Sequence, residues 1–368
     1  MRTAVVILNW NTKEYLERFL PGLLASATDG AEIIVADSAS TDGSMEMLSE
    51  KFPSVRQIRL DKNHGFTGGY NRAFKAVCSL PEAADLEYFV LINSDIEVPK
   101  DWLKPLTEWM DRHPDCAACA PKLHSWYDKD SFEYAGAAGG LLDRFGYPFC
   151  RGRVLKRVEK DYGQYDSPAK VFWATGACLM VRKTEYSKMG GLDDRFFAHM
   201  EEIDLCWRLQ LEGKRIFVVP QSVVWHLGGG TLPNDSPWKL KLNYRNNLLM
   251  LQNNLAKTYS LQEIKELTPE KAAVKACRRA RGTIFIRMCL DGCSALVYLL
   301  TGKKDCFKAV WEAHKEFRKM EVKPDVKAVQ EYADTHRGID VPPLFPEWIV
   351  PLAMLKGNGI FEYIRKFI

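Results

Sequence analysis

Three short stretches hold residues able to do chemistry. The first, FFAHMEEIDLCWR (196–208), packs Glu201, Glu202 and Asp204 behind two phenylalanines. Clustered carboxylates repel one another, and an apolar wall raises a carboxyl pKa toward the range of a general base. On a helix starting near Met200, Glu201, Asp204 and Arg208 share one face and Glu202 lies about 100° away. Acids also suit a helix N-terminus on dipole grounds, so the cluster reads as a base or as dipole compensation. The second stretch, NSD (93–95), closes an apolar run with Asp95. That carboxylate suits a hard divalent cation such as Mg²⁺ or Mn²⁺, although the same tripeptide also favours an Asx-type turn. The third, WHLGGGT (225–231), sets His226 before three glycines. An imidazole there completes a metal site with a carboxylate, or is simply structural.

These residues need a scaffold, and the first hundred positions supply one. AVVILN (4–9), EIIVAD (32–37), SVRQIRL (54–60) and EYFVLIN (87–93) read as buried strands. Amphipathic stretches at 13–26 (capped by Thr12 or Asn11), 44–51 and 69–79 read as helices between them. Continuous apolar strands alternating with helices predict a parallel sheet covered on both faces, with ligands beyond the strands' carboxyl ends. The segments at those ends are polar each time: Asn9-Trp10-Asn11, DSASTDGS (37–44), DKNHGFTGGYN (61–71) and NSD. Residues 121–170 are glycine-rich and carry no assignment. Strand character returns at 170–183, a helix spans 200–212 with Gly213 as its stop, and a strand follows at 215–220. From 237 the pattern is mostly helical, with an extended segment at 341–348 and a short helix at 359–368.

The 368 residues, 46% hydrophobic and 27% charged, suit one large globular domain with an appendage. A net charge of +4 is too small to imply nucleic-acid binding, but KACRRARG (275–282), TGKKD (301–305) and KEFRKM (315–320) concentrate positive charge late in the chain. No cationic leader precedes the first strand, and no uninterrupted apolar run reaches the roughly 18–20 residues of a membrane-spanning helix. Residues 282–300 come nearest but contain Arg287 and Asp291. Ten cysteines without framework spacing read as reduced cytosolic thiols, and the lone CxxC at Cys116 and Cys119 is not expected to bind zinc.

Together, a polar rim, an acid for metal, a histidine beside glycines and an acidic helix start suit transfer from a nucleoside diphosphate donor. The cation would neutralise the leaving diphosphate and a carboxylate would deprotonate an incoming hydroxyl. No GxxxxGK[ST] or GxGxxG follows the first strand, which disfavours P-loop phosphoryl transfer and dinucleotide oxidoreduction.

The segments VVILNWN, IIVADSASTDGS, NHGFTGGYNRAF, FVLINSDIEVPKDWL, ATGACLMVRK and GGLDDRFFAHMEEIDLCWRL…HLGGGT, in order across roughly 3–255, resemble family 2 glycosyltransferases. The resemblance is to the bacterial rhamnosyltransferase-like branch. It implies an α/β GT-A (Rossmann-like) domain at 1–255, a mostly helical extension at 256–368, and an inverting displacement. It places Asn9, Asn11 and Asp37 at the nucleoside, and Asn63, Gly65, Gly69 and Asn71 near the ribose and diphosphate. Asn93, Ser94 and Asp95 stand where the family has DxD, with Asp95 as metal ligand and His226 as the second. Thr175 and Gly176 line the acceptor side, while Tyr244, Arg245 and Asn246 reach the donor from a segment (231–255) folded over the site. Two positions depart from the family: Asn93 replaces the first acid of DxD, and Glu202 replaces the catalytic aspartate, with Glu201 in reserve. The implied reaction moves a sugar from dTDP-rhamnose, or from a UDP-hexose or N-acetylhexosamine, to a lipid-linked glycan in bacterial surface polysaccharide assembly. The departures keep open an inactive homologue that binds nucleotide or glycan. IFIRMCLDGCSALVYLL (284–300) with its basic flanks fits a helix against anionic lipid at the inner face of the cell membrane, or the core of a small helical domain.

Overall fold

The computed structural model describes residues 1–27, 30–228, 236–341 and 343–367. The first half alternates β1 (Thr3–Asn9), α1 (Lys13–Ala25), β2 (Ala31–Asp37), α2 (Ser44–Lys51), β3 (Arg56–Arg59), α3 (Gly65–Cys78), β4 (Tyr88–Ile92), β5 (Ile96–Glu97) and α4 (Leu103–Arg112). Next come β6 (Cys116–Ser125), β7 (Gly140–Leu142), β8 (Pro148–Cys150), β9 (Arg153–Val154), β10 (Arg157–Val158) and β11 (Ala169–Lys170). Then follow β12 (Cys178–Arg182), α5 (Lys183–Lys188), α6 (Glu201–Leu211) and β13 (Arg215–His226). The remainder is helical: α7 (Pro237–Glu263), α8 (Pro269–Leu300), α9 (Lys304–Met320), α10 (Val326–Thr335), α11 (Ile349–Lys356) and α12 (Ile360–Arg365).

Among the described residues the main sheet runs β11-β13-β6-β12-β4-β1-β2-β3, with β5 paired to β13. The strands β3, β2, β1 and β4 are parallel, as their apolar runs predict. The sheet is nevertheless mixed, because β12 lies antiparallel between β4 and β6. One core packs α1, α2 and α4 on one face through Leu16, Leu48 and Leu106. The other packs α3, α6 and α7 on the opposite face through Tyr70, Trp207 and Leu248. Since β1 is flanked by both β2 and β4, the strand order reverses there, beside Asn9 and Asn93, the position at which open α/β sheets hold ligands.

The structure moves three sequence boundaries. α3 begins at Gly65, four residues before its expected start. Gly65 has φ +72°, and a Cβ there would stand 2.5 Å from the Phe197 carbonyl oxygen, so glycine is needed despite its poor helix propensity. The unassigned region 121–170 holds the end of β6 and a small sheet ordered β10-β9-β8-β7. The boundary placed after residue 255 falls inside α7, which packs along α6. The chain end also returns to the first half of the chain: Phe345, Ile349 and Ile360 share a core with Leu141, Phe149 and Val154.

All ten cysteines are free, Cys116 and Cys119 being buried side by side in β6. Arg287 and Asp291 do not break α8. They face inward as a buried pair at 2.8 Å, and Arg287 also donates to Asn247 Oδ1 and the Phe145 carbonyl.

Candidate active site

Asp95 and His226 are far apart in sequence and adjacent in space. β5 pairs antiparallel with the end of β13, His226 opposite Ile96, and the Leu227 amide donates to the Asp95 carbonyl. This brings Asp95 Oδ1 within 3.2 Å of His226 Nε2, and Asn93 Nδ2 within 3.4 Å of the same nitrogen. Both side chains are buried. The other ring nitrogen, Nδ1, lies 3.4 Å from Glu133 Oε1 but off the line of a hydrogen bond. Burial alone would lower the His226 pKa; the carboxylates of Asp95 and Glu133 on its two sides outweigh that and push it up to about 10. Burial works to raise Asp95, and its contacts with His226 override that and hold it below the usual carboxylate value.

Carboxylate oxygen beside imidazole nitrogen is a donor set that fits Mg²⁺ or Mn²⁺. Among the described residues no three His, Cys, Asp or Glu side chains converge on one point. The imidazole ring separates Asp95 from Glu133, so those two cannot hold one ion together. An ion at Asp95 and His226 would draw its remaining ligands from substrate and water.

The acids of α6 divide their work. Asp204 is fully enclosed: Oδ1 accepts from Asn253 and Asn254 of α7, each at 2.9 Å, and Oδ2 from Arg208 Nε at 2.7 Å. Glu201 is buried, and burial followed by repulsion from Glu202 raises its carboxyl well above the normal range. Glu202 keeps some exposure, but its Oε2 is enclosed and has no partner. Burial pushes its pKa up to about 7, the range of a general base. Glu202 stands beside Gly176, where a Cβ would come within 3.5 Å of the Glu202 Cβ. Ala177 next to it accepts from the Asn93 amide at 2.9 Å. Gly176 and Ala177 thus link the start of α6 to the end of β4, where Asn93 stands beside the Asp95–His226 pair.

A helix-covered mixed sheet whose strand order reverses at β1 is the fold that the family resemblance implied. Residues 4–182 match the family model for glycosyl transferase family 2. Over that stretch the chain carries a family 2 glycosyltransferase domain. The transferase is 25% identical over 258 residues to the N-acetylglucosaminyl-diphospho-decaprenol L-rhamnosyltransferase of Mycobacterium tuberculosis, covering 67% of this chain and 83% of that one. It is 24% identical over 218 residues to the rhamnosyltransferase WbbL of Escherichia coli, covering 59% and 80%. Among solved structures, GalNAc-T7 with UDP, GalNAc and Mn²⁺ superposes with a TM-score of 0.50 at 18% identity. That alignment covers 73% of this chain and spans about half (51%) of that protein's length. The fold is GT-A with a helical C-terminal region, as expected.

The transferase holds its other sequence candidates in distinct surroundings. Asn9 is buried; its Nδ2 donates to Asp37 Oδ1 at 2.7 Å and Ser40 Oγ at 3.0 Å, while Thr12 donates to its Oδ1. The exposed Asn11, at φ 54°, accepts from the Thr41 amide. These bonds knit the β1 and β2 loops into one shelf, on which Trp10 stands exposed. Asn63 Oδ1 accepts from the Gly65 amide at 2.8 Å, and Gly69 is pressed against Leu8. Ser94 is buried beside Asp95, and Thr175 donates to the Ala135 carbonyl at 2.5 Å.

Three candidates lie where the sequence reading did not put them. Asn71 braces α3 against the 192–194 turn: it donates to the Leu192 carbonyl and Asp194, and accepts from Tyr186 and the Leu192 amide. Its amide is fully used there. Tyr244 faces α8 rather than a donor; its hydroxyl engages Ser294, and burial raises its pKa. Arg245 is saturated by the Arg195 and Phe196 carbonyls and Glu316. The beginning of the segment expected over the site, 231–235, lies outside the described residues.

Arg245 and Asn246 have a different task. The loop leading into α6 carries positive φ at Phe197 (63°), His199 (71°) and Met200 (73°), a conformation costly for side chains of this size. Asn246, fully buried, lies within 2.7–2.9 Å of the Phe196, Ala198 and His199 carbonyls with one amide nitrogen. Helix α7 thus clamps the strained turn that launches Glu201 and Glu202. No sequence signal marked Asn246 for this role, nor Glu133 for its place beside His226, since both lie in stretches without a local motif. A cavity of about 370 Å³ lined by Gly190, Asp193, Arg195, Arg208 and Lys257 contains none of Asp95, His226 or Glu202.

Proposed function

We propose that this transferase moves a sugar from a nucleotide-diphosphate donor to a hydroxyl of a lipid-linked glycan, with inversion, during surface polysaccharide assembly at the inner face of the cell membrane. dTDP-rhamnose is the first donor to test, since the relatives named above are rhamnosyltransferases. The lipid-linked acceptor is suggested by the diphospho-decaprenol substrate in the name of the mycobacterial relative.

The observation that carries the reading is an enclosed carboxyl, Glu202, with a pKa near 7, at the start of a helix that Gly176 and Ala177 link to Asn93, beside the Asp95–His226 pair. A divalent ion held there would neutralise the charge that develops on the leaving diphosphate. Glu202 takes the acceptor hydroxyl's proton as the new carbon–oxygen bond forms at the anomeric carbon and the bond to diphosphate breaks. The shelf of Asn9, Asn11 and Asp37 orients the nucleoside. Glu133 faces Nδ1 of His226, which leaves Nε2 turned toward Asp95; a carboxylate behind a metal-binding histidine commonly fixes ring orientation in this way.

A panel of nucleotide sugars with and without Mn²⁺ tests this, read by thermal shift and by release of nucleoside diphosphate. One donor should raise the melting temperature only with metal, and Asp95→Ala should abolish that rise. A metal-dependent shift that survives Asp95→Ala would overturn the assignment of Asp95. UDP-hexose and UDP-N-acetylhexosamine in the same panel decide the donor.

A further inference from the structure

α8 is long and apolar enough to cross a membrane by length and composition, yet its two central charges do not face outward. Arg287 and Asp291 pair inside the protein, bonded to Asn247 and the 145 loop. What the helix presents outward from residue 282 to 300 carries no charge. Phe285 (68% exposed), Ile286, Leu296, Val297, Leu299 and Leu300 (78%) are open, an aliphatic and aromatic strip roughly 22 Å long at 1.5 Å per residue. Trp311 of α9 is also open. Cations stand at both ends: Arg278 and Arg281 before the strip, Lys303 and Lys304 after it, exposed and without an ion pair among the described residues. An apolar face of this size on a soluble surface marks an interaction site.

We propose that this face lies flat in the headgroup region of an anionic bilayer and holds the active site against it. Buried internal charges and packing of the opposite face on α7 keep the helix from spanning. A second copy of the chain fits less well. A two-fold pairing of antiparallel α8 helices would set Arg278 and Arg281 against Lys303 and Lys304, so like charges would meet. Anionic lipid meets both basic ends at once, in the manner of interfacial helices. The placement is apt, because the end of the strip lies level with the start of α7. Tyr244 of α7 engages Ser294 there. Trp238, exposed beside Phe197, continues the apolar rim. The inference deepens the lipid-linked acceptor reading and rests on it for its purpose, but vesicle binding is measured with no acceptor present.

The test is flotation of full-length protein with phosphatidylcholine vesicles, with and without phosphatidylglycerol, at low and high salt. Binding should need the anionic lipid and weaken as salt rises. Leu296→Asp with Leu300→Asp, both outward and outside the catalytic machinery, should reduce binding about tenfold or more. Lys303→Gln with Lys304→Gln should reduce it several-fold and flatten the salt dependence, while donor turnover with a soluble acceptor stays unchanged in all variants. Wild-type protein that ignores anionic vesicles overturns the proposal. So does a stable dimer in light scattering that Leu296→Asp with Leu300→Asp converts to monomer.

Discussion

Glu202→Gln probes both stability and chemistry. The ionised carboxyl is disfavoured in the folded protein, where burial moves the pKa from 4.5 to about 7. At 1.36 kcal/mol per unit, the gap of 7 − 4.5 = 2.5 corresponds to roughly 3 kcal/mol. The folded state holds its proton to higher pH than the unfolded chain. The stabilisation is therefore complete below about 4.5 and lost as pH rises through 7. Glutamine cannot ionise, so the variant should match the wild type near pH 4.5 and exceed it by roughly 2–3 kcal/mol above pH 7. For a chain of this size that is roughly 4–6 °C in melting temperature at pH 8, read by scanning fluorimetry across pH. In the same variant kcat should fall by about 10²- to 10⁴-fold, with donor affinity retained. Wild-type kcat/KM should climb to a plateau above about pH 7. Unimpaired turnover in Glu202→Gln, or a melting-temperature gain of equal size at pH 5 and pH 8, would refute Glu202 as an enclosed base.

Two further outcomes follow from neighbouring contacts. Glu133→Gln should weaken Mn²⁺ binding about 10- to 100-fold in an EPR titration without donor; unchanged affinity would show that Glu133 does not orient His226. Asn246→Ala takes the side-chain donor from the Ala198 and His199 carbonyls, while Phe196 keeps Arg245. It should cost roughly 1–3 kcal/mol of stability and lower kcat more than it raises KM; loss of stability with kcat intact would reduce Asn246 to a packing role.

Much of the scaffold was legible because its signals are local. The apolar runs of β1, β2 and β4 dictated parallel neighbours, and MEEID with Gly213 bracketed α6 to within a residue or two. Asp95 and His226 could be named separately, but what joins them is the pairing of a two-residue strand, β5, with the end of β13, too short to leave a pattern. Asn71 misled the reading because it stands among loop glycines yet faces the 192–194 turn once α3 winds from Gly65. Tyr244, Arg245 and Asn246 are consecutive in sequence, but a helix turns successive side chains about 100° apart. One therefore meets α8 while the next two grip the loop before α6.

Asn246 sits some sixty residues past the stretch that matches the family model, and it steadies an acid it never approaches in sequence. Pruning the chain after β13 would retain Asp95, His226 and Glu202 and still release the turn that launches Glu202. For engineers seeking a compact sugar-transfer catalyst, α7 belongs to the engine rather than to the chassis.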